Sequence, residues 1–214
     1  MLRCQIVPVT AFQQNCSIVW DDETMDAVLI DAGGDVENLK KVIAELGINV
    51  KALWNTHAHL DHIGAVGALA RELAVPVVGP QKEDQFWIDQ LQDVSARYGF
   101  PIPEKVTVDQ WLEGGEVLKL GEHEFEVRYT PGHTPGHVVF YCKEVNLLWT
   151  GDVLFKGSIG RTDFPRGDFD TLINSIKTQL FTLPDDTQFI SGHGPLSTIG
   201  FEKKHNPFVA GKAG

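Results

Sequence analysis

The chain has 214 residues, of which 43% are hydrophobic and 22% are charged, an ordinary composition for a soluble globular protein. Its formal net charge of −11 argues against nucleic-acid binding through a basic face and against attraction to anionic membranes. The N-terminal segment has no basic region followed by a long apolar run, and no apolar stretch approaches membrane-spanning length. We therefore predict neither a signal peptide nor a membrane helix.

The three cysteines, Cys4, Cys16 and Cys142, are odd in number and form no short-spaced pair of the kind that binds zinc. We predict reduced thiols and a reducing compartment, the cytoplasm. The length suits one domain with a sizeable core, and no linker separates the two halves. We therefore expect a single domain over residues 1–214.

The first half of the chain alternates between strand-like and helical patterns. A helix is expected after Asp35, where an apolar stripe at helical spacing begins, and it should end at Gly47. A second helix is expected from about residue 64, and a third over residues 82–97, whose aromatic residues we place in the core. The predicted strands are residues 3–9, 16–20, 27–30, 51–55 and 76–78.

In the second half, strand-like segments follow a turn at Gly114 and Gly115, and a helix is expected from Asp168. The segment from residue 199 is short and mixed, and no element is predicted for it. The predicted strands are residues 116–120, 125–129, 137–141, 147–150 and 188–190. Strands followed by helices in both halves favour an α/β (α+β) fold with two packed sheets and helices on their outer faces.

The most informative segment is residues 56–62, with the sequence THAHLDH, which follows the predicted strand 51–55. Its three imidazoles and one carboxylate each need a partner if they are even partly buried. Residues two apart in an extended segment point the same way, so His57 and His59 can converge on one metal ion. Asp61 and His62 should diverge from that pair as the backbone turns into a helix. This geometry predicts a second ion beside the first.

Further candidate ligands stand where loops leave the strands at one edge of the sheets. They are His133 in a Pro/Gly-rich turn, Asp152 after strand 147–150, and His193 after strand 188–190. Glycines beside these residues permit close backbone approach. These candidates divide into two sets of donors. His57, His59 and His133 would bind one ion, and Asp61, His62 and His193 would bind the other. Asp152 is a carboxylate able to bridge both ions.

Imidazole and carboxylate ligands without thiolate suit zinc, and also iron or manganese. Three neutral imidazoles and one shared carboxylate leave an ion strongly electrophilic, so its bound water should ionise near neutral pH. Asp31 is either a carboxylate that orients the motif loop by hydrogen bonding or an ordinary turn residue before a helix. His137 is a ligand alternative, a hydrogen-bonding neighbour of the ligands, or an ordinary strand residue.

The ordered ligand set just given resembles that of the metallo-β-lactamase superfamily. The resemblance implies a four-layer αβ/βα sandwich, which agrees with the predicted order of elements. Within the superfamily, four segments are similar to the glyoxalase II-like (hydroxyacylglutathione hydrolase-like) enzymes of the short, single-domain bacterial type: residues 131–137 (PGHTPGH), 151–155 (GDVLF), 160–164 (GRTDF) and 202–208 (EKKHNPF). The carboxylate of Asp152, where a thiol could stand, argues against most true β-lactamases of this fold.

This resemblance implies hydrolysis of a thioester, S-D-lactoylglutathione or a related hydroxyacylglutathione, by a metal-bridging hydroxide that Asp61 orients. Longer glyoxalase II enzymes bind glutathione with a C-terminal helical domain, and we expect none here because the chain stops too soon. Arg161, Lys203 and Lys204 are the candidate contacts to glutathione carboxylates. We expect a small-molecule substrate, no nucleic-acid or membrane partner, and a monomer or small homo-oligomer.

Residues 160–164 are also similar to persulfide dioxygenases, which resemble this fold but use a single iron. The alternative function is therefore a mononuclear-iron persulfide dioxygenase acting on glutathione persulfide, with His57, His133 and Asp152 as the iron ligands. A third class, a metal-binding protein without catalysis, predicts bound metal but no turnover. Metal analysis combined with thioester and persulfide assays separates the three.

Overall fold

The computed structural model describes residues 1–210, and one of its two main sheets is built from the N-terminal part of the chain. This sheet has five strands in sequence order, of which the first three are antiparallel and the last two join in parallel. The strands are β1 (Leu2–Val9), β2 (Gln14–Asp21), β3 (Asp26–Ile30), β4 (Asn49–Trp54) and β5 (Val77–Val78). The parallel crossovers carry the helices α1 (Val36–Leu46), α2 (Leu60–Ile63) and α3 (Val66–Leu73).

The second sheet has six strands: β6 (Val117–Leu120), β7 (His123–Tyr129), β8 (Val138–Cys142), β9 (Leu147–Gly151), β12 (Gln188–Ser191) and β13 (Ser197–Thr198). They lie in the order β13-β12-β9-β8-β7-β6, and only β12 and β9 pair in parallel. A separate hairpin joins β10 (Leu154–Phe155) to β11 (Ser158–Ile159). The remaining α-helices are α4 (Gln85–Asp89), α5 (Leu91–Tyr98), α6 (Phe169–Ser175) and α7 (Ile199–His205), and a π-helical segment (Ile176–Leu180) continues α6.

Buried side chains form three clusters that separate four layers. Neighbouring residues of one strand point to opposite faces, so Ile18 packs under the helices of the first sheet while Val19 packs between the sheets. In the second sheet Trp149 likewise faces the space between the sheets, whereas Leu148 packs with Leu172 of α6. The order is therefore helices, sheet, sheet, helices, and the predicted four-layer arrangement is confirmed.

The structure differs from the prediction at two helical segments. Residues 82–97 are not one helix but a 3₁₀ turn (Lys82–Asp84) followed by α4 and α5, because Gln90 leaves the helical conformation with φ −102° and ψ 1°. The segment after residue 198, for which no element was predicted, forms α7. The side chain of Thr198 caps this helix by accepting a hydrogen bond from the backbone N–H of Phe201.

The three cysteines are free, as predicted. Among residues 1–210 we find no helix that is both long and apolar enough to cross a membrane.

Candidate metal centre

Four loops meet at the edge of the sheets where β4, β7, β9 and β12 end, and they bring the predicted ligands together. One potential ligand atom each from His57, His59 and His133 lies within 4.8 Å of the others. The Nδ1 atom of His59 and the Nε2 atom of His133 are 2.9 Å apart. The first predicted set of donors is therefore assembled as expected, although His133 is 74 residues from His59.

The second predicted set is assembled beside the first. Ligand atoms of Asp61, His62 and His193 also lie within 4.8 Å of one another. The Oδ2 atom of Asp61 is 3.1 Å from Nε2 of His193 and 3.8 Å from Nε2 of His62. Asp61 and His62 thus meet His193, but His62 has not diverged fully from the first set, because its ring lies 4.0 Å from that of His57.

Asp152 lies between the two sets. Its Oδ1 atom is 3.3 Å from Nε2 of His62, and its Oδ2 atom is 3.6 Å from Nε2 of His133 and 3.7 Å from Nε2 of His193. One carboxylate therefore faces imidazoles of both sets, which is the geometry a bridging ligand requires.

Hydrogen bonds on the far side of the rings fix the orientation of His57 and His62. The hydroxyl of Thr56 donates to Asp31 Oδ2 at 2.7 Å, so Thr56 Oγ1 accepts from His57 Nδ1 at 3.0 Å. Asp31 Oδ2 also accepts from His62 Nδ1 at 3.0 Å. Because each Nδ1 carries the proton, each Nε2 presents a lone pair to the centre. Asp31 thus orients the motif loop by hydrogen bonding, which is one of the two interpretations that its sequence position allows.

Backbone carbonyls orient two further rings in the same way. His133 Nδ1 donates to the carbonyl of Arg161 at 2.7 Å, and His193 Nδ1 donates to the carbonyl of Phe12 at 3.2 Å. Both rings therefore also turn the Nε2 lone pair toward the centre. All four imidazoles therefore carry a proton on Nδ1, because the group that each Nδ1 contacts is a hydrogen-bond acceptor.

The electrostatics of the centre favour ionised carboxylates, neutral rings at His57 and His59, and a protonated ring at His62. Burial, followed by the neighbouring imidazoles, lowers the pKa of His57 and His59 well below the ordinary histidine value. Burial opposes ionisation of Asp152, yet His62 and the other imidazoles lower its pKa overall. Burial likewise lowers the pKa of His62, but Asp152 and Asp61 raise it well above the ordinary value. A divalent cation paired with these carboxylates would release that proton, as metal binding to histidine generally does.

The residues fit divalent metal ions on an independent observation. Several buried polar atoms facing the centre have no hydrogen-bond partner within the described residues, which is costly for a buried group. Metal coordination would satisfy them, since lone pairs of nitrogen and carboxylate oxygen are metal ligands. These atoms are Nε2 of His57 and His62, and Oδ1 of Asp152.

His137 lies behind the ligands and does not join either donor set. Its Nε2 atom accepts a hydrogen bond of 3.1 Å from the backbone N–H of Asp152, and its ring stacks on that of His57 at 4.6 Å. The structure thus places it as a hydrogen-bonding neighbour of the ligands.

Gly192 shows why glycine stands beside the centre, because a Cβ there would lie 2.1 Å from Asp152 Oδ1.

Asp84 is a residue of the site that the sequence analysis missed. It is fully buried, and its carboxylate accepts hydrogen bonds from the backbone N–H groups of Ala58 and Gly136 and from the hydroxyl of Thr134. Ala58 separates His57 from His59, and the other two flank the turn of His133. One carboxylate therefore anchors both ligand loops. No local signal marks it, since its partners lie 26 to 52 residues away.

A cavity of about 660 Å³ opens onto the centre. Its floor includes His59, Asp61 and Asp152, and its walls come from α4, α5, the Phe12 loop and residues 155–165. Trp87, predicted as core, is buried but also lines this cavity, with its ring 4.6 Å from that of His59. The aromatic residues of this segment therefore contribute to the site as well as to packing.

The predicted substrate contacts have different positions. Arg161 lines the cavity, although Asp163 binds its guanidinium at 2.9 and 2.7 Å. Lys203 lies on α7, pairs with Asp185 at 2.6 Å and does not line the cavity. Lys204, the next residue of α7, does not line it either. The structure therefore brings only Arg161 to the centre.

The sequence profile of the Metallo-beta-lactamase superfamily matches residues 9–193, and the chain belongs to this superfamily. Hydroxyacylglutathione hydrolase GloC of Haemophilus influenzae is similar to it, with 48% identity over 213 residues, covering 99% of this chain and 100% of the relative. The predicted superfamily is therefore confirmed.

Two solved structures are also similar over nearly their whole length. One is the B3 metallo-beta-lactamase BLEG-1, with a TM-score of 0.89, 39% identity, and coverage of 99% of this chain and 100% of the other. The second is TTHA1623, solved in a di-iron-bound form, with a TM-score of 0.87, 37% identity, and coverage of 95% and 99%. These likenesses confirm the predicted fold.

Proposed function

We propose that this protein is a metal-dependent thioester hydrolase of the hydroxyacylglutathione type, acting on S-D-lactoylglutathione or a related hydroxyacylglutathione. The observation that carries the proposal is the full-length likeness to a hydroxyacylglutathione hydrolase at 48% identity. The two sets of donors beside a cavity of about 660 Å³ support it independently. We further propose that residues 1–214 form one domain that works in the cytoplasm.

The proposed metal ligands are those of the sequence prediction. One set is His57, His59 and His133, the other is Asp61, His62 and His193, and Asp152 joins the two. We propose zinc as the resident ion, while iron and manganese suit the same ligands. When bound, such ions supply a hydroxide at neutral pH and polarise a carbonyl oxygen.

The chain's own residues orient and shield the reacting groups. Asp61 lines the cavity floor, where its carboxylate can accept a hydrogen bond from the attacking water. The ring of Trp87 and the phenyl ring of Phe164 lie against His59, at centroid distances of 4.6 and 5.1 Å, and limit access of bulk water from that side. Among the described residues that line the cavity, the only carboxyl groups are Asp61 and Asp152. A thiolate leaving group needs no general acid, which agrees with this lining.

We expect the purified protein to contain two divalent ions per chain and to hydrolyse S-D-lactoylglutathione, with the rate falling to background after chelation and returning with zinc. The measurement is metal analysis paired with loss of thioester absorbance. One iron per chain with oxygen uptake on glutathione persulfide would instead support the dioxygenase alternative. A β-lactam is the second substrate to test, because the chain is similar to a B3 metallo-beta-lactamase. Turnover of the β-lactam without turnover of the thioester would refute the proposal.

A further inference from the structure

Arg97 lines the cavity of the candidate metal centre, and it has no carboxylate partner among residues 1–210. The chain has six arginines, and the other five lie within salt-bridge distance of a carboxylate. Within residues 1–210, the guanidinium of Arg97 has neither an ion pair nor a hydrogen bond. A shortage of acidic groups does not explain this, because Asp and Glu outnumber Lys and Arg by 29 to 18.

No other group of the cavity offsets this charge. The carboxylates of the lining, Asp61 and Asp152, are both candidate metal ligands on its floor. Arg161 on the facing wall is held by Asp163, and its guanidinium carbon stacks 4.4 Å from the ring centroid of Phe164. Arg97 therefore supplies the uncompensated positive charge of the outer cavity.

The helix face that carries Arg97 changes from apolar to polar along its length. Leu91, Val94 and Tyr98 lie at helical spacing on one face of α5, and all three line the cavity with Arg97. This face follows Trp87, whose ring contacts that of His59. An apolar wall thus begins beside the candidate metal centre and ends at a cation and a phenol.

The spacing sets the length of the ligand that Arg97 could hold. Arg97 follows Trp87 by ten residues, which places it at most about 15 Å further along the helical segment. An anion bound to Arg97 must then be several bonds away from a carbonyl held beside His59. In an extended tripeptide with the thiol on its middle residue, a terminal carboxylate lies about 7 Å from the thiol-bearing residue. The long side chain of Arg97 can span the remaining distance.

We propose that Arg97 binds a carboxylate of the thiol moiety of the substrate, and that α5 thereby selects thioesters of a carboxylate-bearing peptide thiol such as glutathione. This inference rests on the proposed thioester hydrolysis and assigns the recognition of its leaving group. The apolar face of α5 packs against the middle of the ligand. Arg97 binds the thiol moiety equally in the substrate and in the transition state, so its effect falls on KM rather than on kcat.

The test compares wild type, Arg97→Gln, Arg97→Lys and the control Arg71→Gln. Arg71 is exposed, pairs with Glu104 and does not line this cavity, so its loss changes the net charge equally. Binding of non-hydrolysable S-methylglutathione is measured by calorimetry, and kinetics use S-D-lactoylglutathione, lactoyl-coenzyme A and the uncharged S-lactoyl-N-acetylcysteamine. We expect Arg97→Gln to raise Kd and KM for the glutathione compounds about tenfold, as expected for a lost charge-assisted hydrogen bond, with kcat retained.

The control and the uncharged thioester should be unaffected, and Arg97→Lys should recover most of the affinity. The inference is overturned if wild type does not bind S-methylglutathione or if Arg97→Gln binds it equally well. It is also overturned if the KM effect appears only with lactoyl-coenzyme A, because the anion would then be a phosphate. Normal lactoylglutathione turnover with an unaffected KM refutes this inference alone. Absent turnover with a tenfold loss of S-methylglutathione affinity refutes the hydrolase proposal alone.

Discussion

Asp152→Ala is expected to abolish retention of the second metal ion and to lower the rate of thioester hydrolysis by more than about 100-fold. Its carboxylate lies 3.3 to 3.7 Å from imidazoles of both donor sets, so its removal takes a ligand from each. Loss of groups that merely orient a ligand already costs 10 to 100-fold in many metal sites, and a shared ligand should cost more. Metal content and kcat/KM, measured on the same preparation, check the result.

The matched control for Asp152→Ala is Asp26→Ala, which removes a carboxylate paired with Lys51 on the surface. Exposed pairs of this kind contribute less than about 1 kcal/mol, so metal content and rate should remain those of wild type. The metal-free Asp152→Ala protein should still fold, because the lost carboxylate contacts imidazoles of the donor sets and holds no strand or helix in place. Full activity with two retained ions would refute the two-metal arrangement.

Asp84→Ala is expected to lower the free energy of unfolding by about 3 kcal/mol at neutral pH and to weaken metal binding 10 to 100-fold. The substitution leaves the N–H groups of Ala58 and Gly136 and the hydroxyl of Thr134 buried without their acceptor. The ligand loops then lose the group that holds them together. Chemical denaturation and a competitive chelator titration measure the two effects.

The control for Asp84→Ala is Asp89→Ala, an exposed residue of the same helical segment whose carboxylate bonds only to Gln85. Its unfolding free energy should change by less than about 0.5 kcal/mol. If Asp84→Ala retained wild-type metal affinity while losing stability, Asp84 would be a packing residue without influence on the centre.

The effect of Asp84→Ala should also depend on pH. Burial raises the pKa of Asp84 from 3.8 to about 6, despite its hydrogen bonds to Ala58 and Gly136. Between about pH 4 and 6 the folded protein therefore holds a proton that the unfolded chain has released. Protonation of Asp84 in the folded state therefore contributes its full share of the free energy of unfolding below about pH 4, and this contribution is lost as the pH rises through 6. The destabilisation by Asp84→Ala should accordingly be larger at pH 5 than at pH 7.5.

The sequence by itself predicts the ligand set and most of the order of elements. It predicts His57 and His59 for one ion and Asp61 for another because alternation in an extended segment and the turn into a helix are local properties of the backbone. It predicts His133 and His193 as ligands because each follows a strand in a glycine-rich context. Local patterns of this kind do not depend on distant parts of the chain.

Tertiary structure alone decided which residues support the ligands and which line the cavity. Asp84 and Arg97 lie in a segment whose periodicity indicated only a helix with aromatic core residues. The contacts of Asp84 are with loops 26 to 52 residues away, and the role proposed for Arg97 depends on the absence of an ion-pair partner within residues 1–210. Hydrophobic periodicity tells which face of an element is buried. Which groups hydrogen-bond to a buried carboxylate, and whether a carboxylate lies beside an arginine, is decided only when the layers pack together.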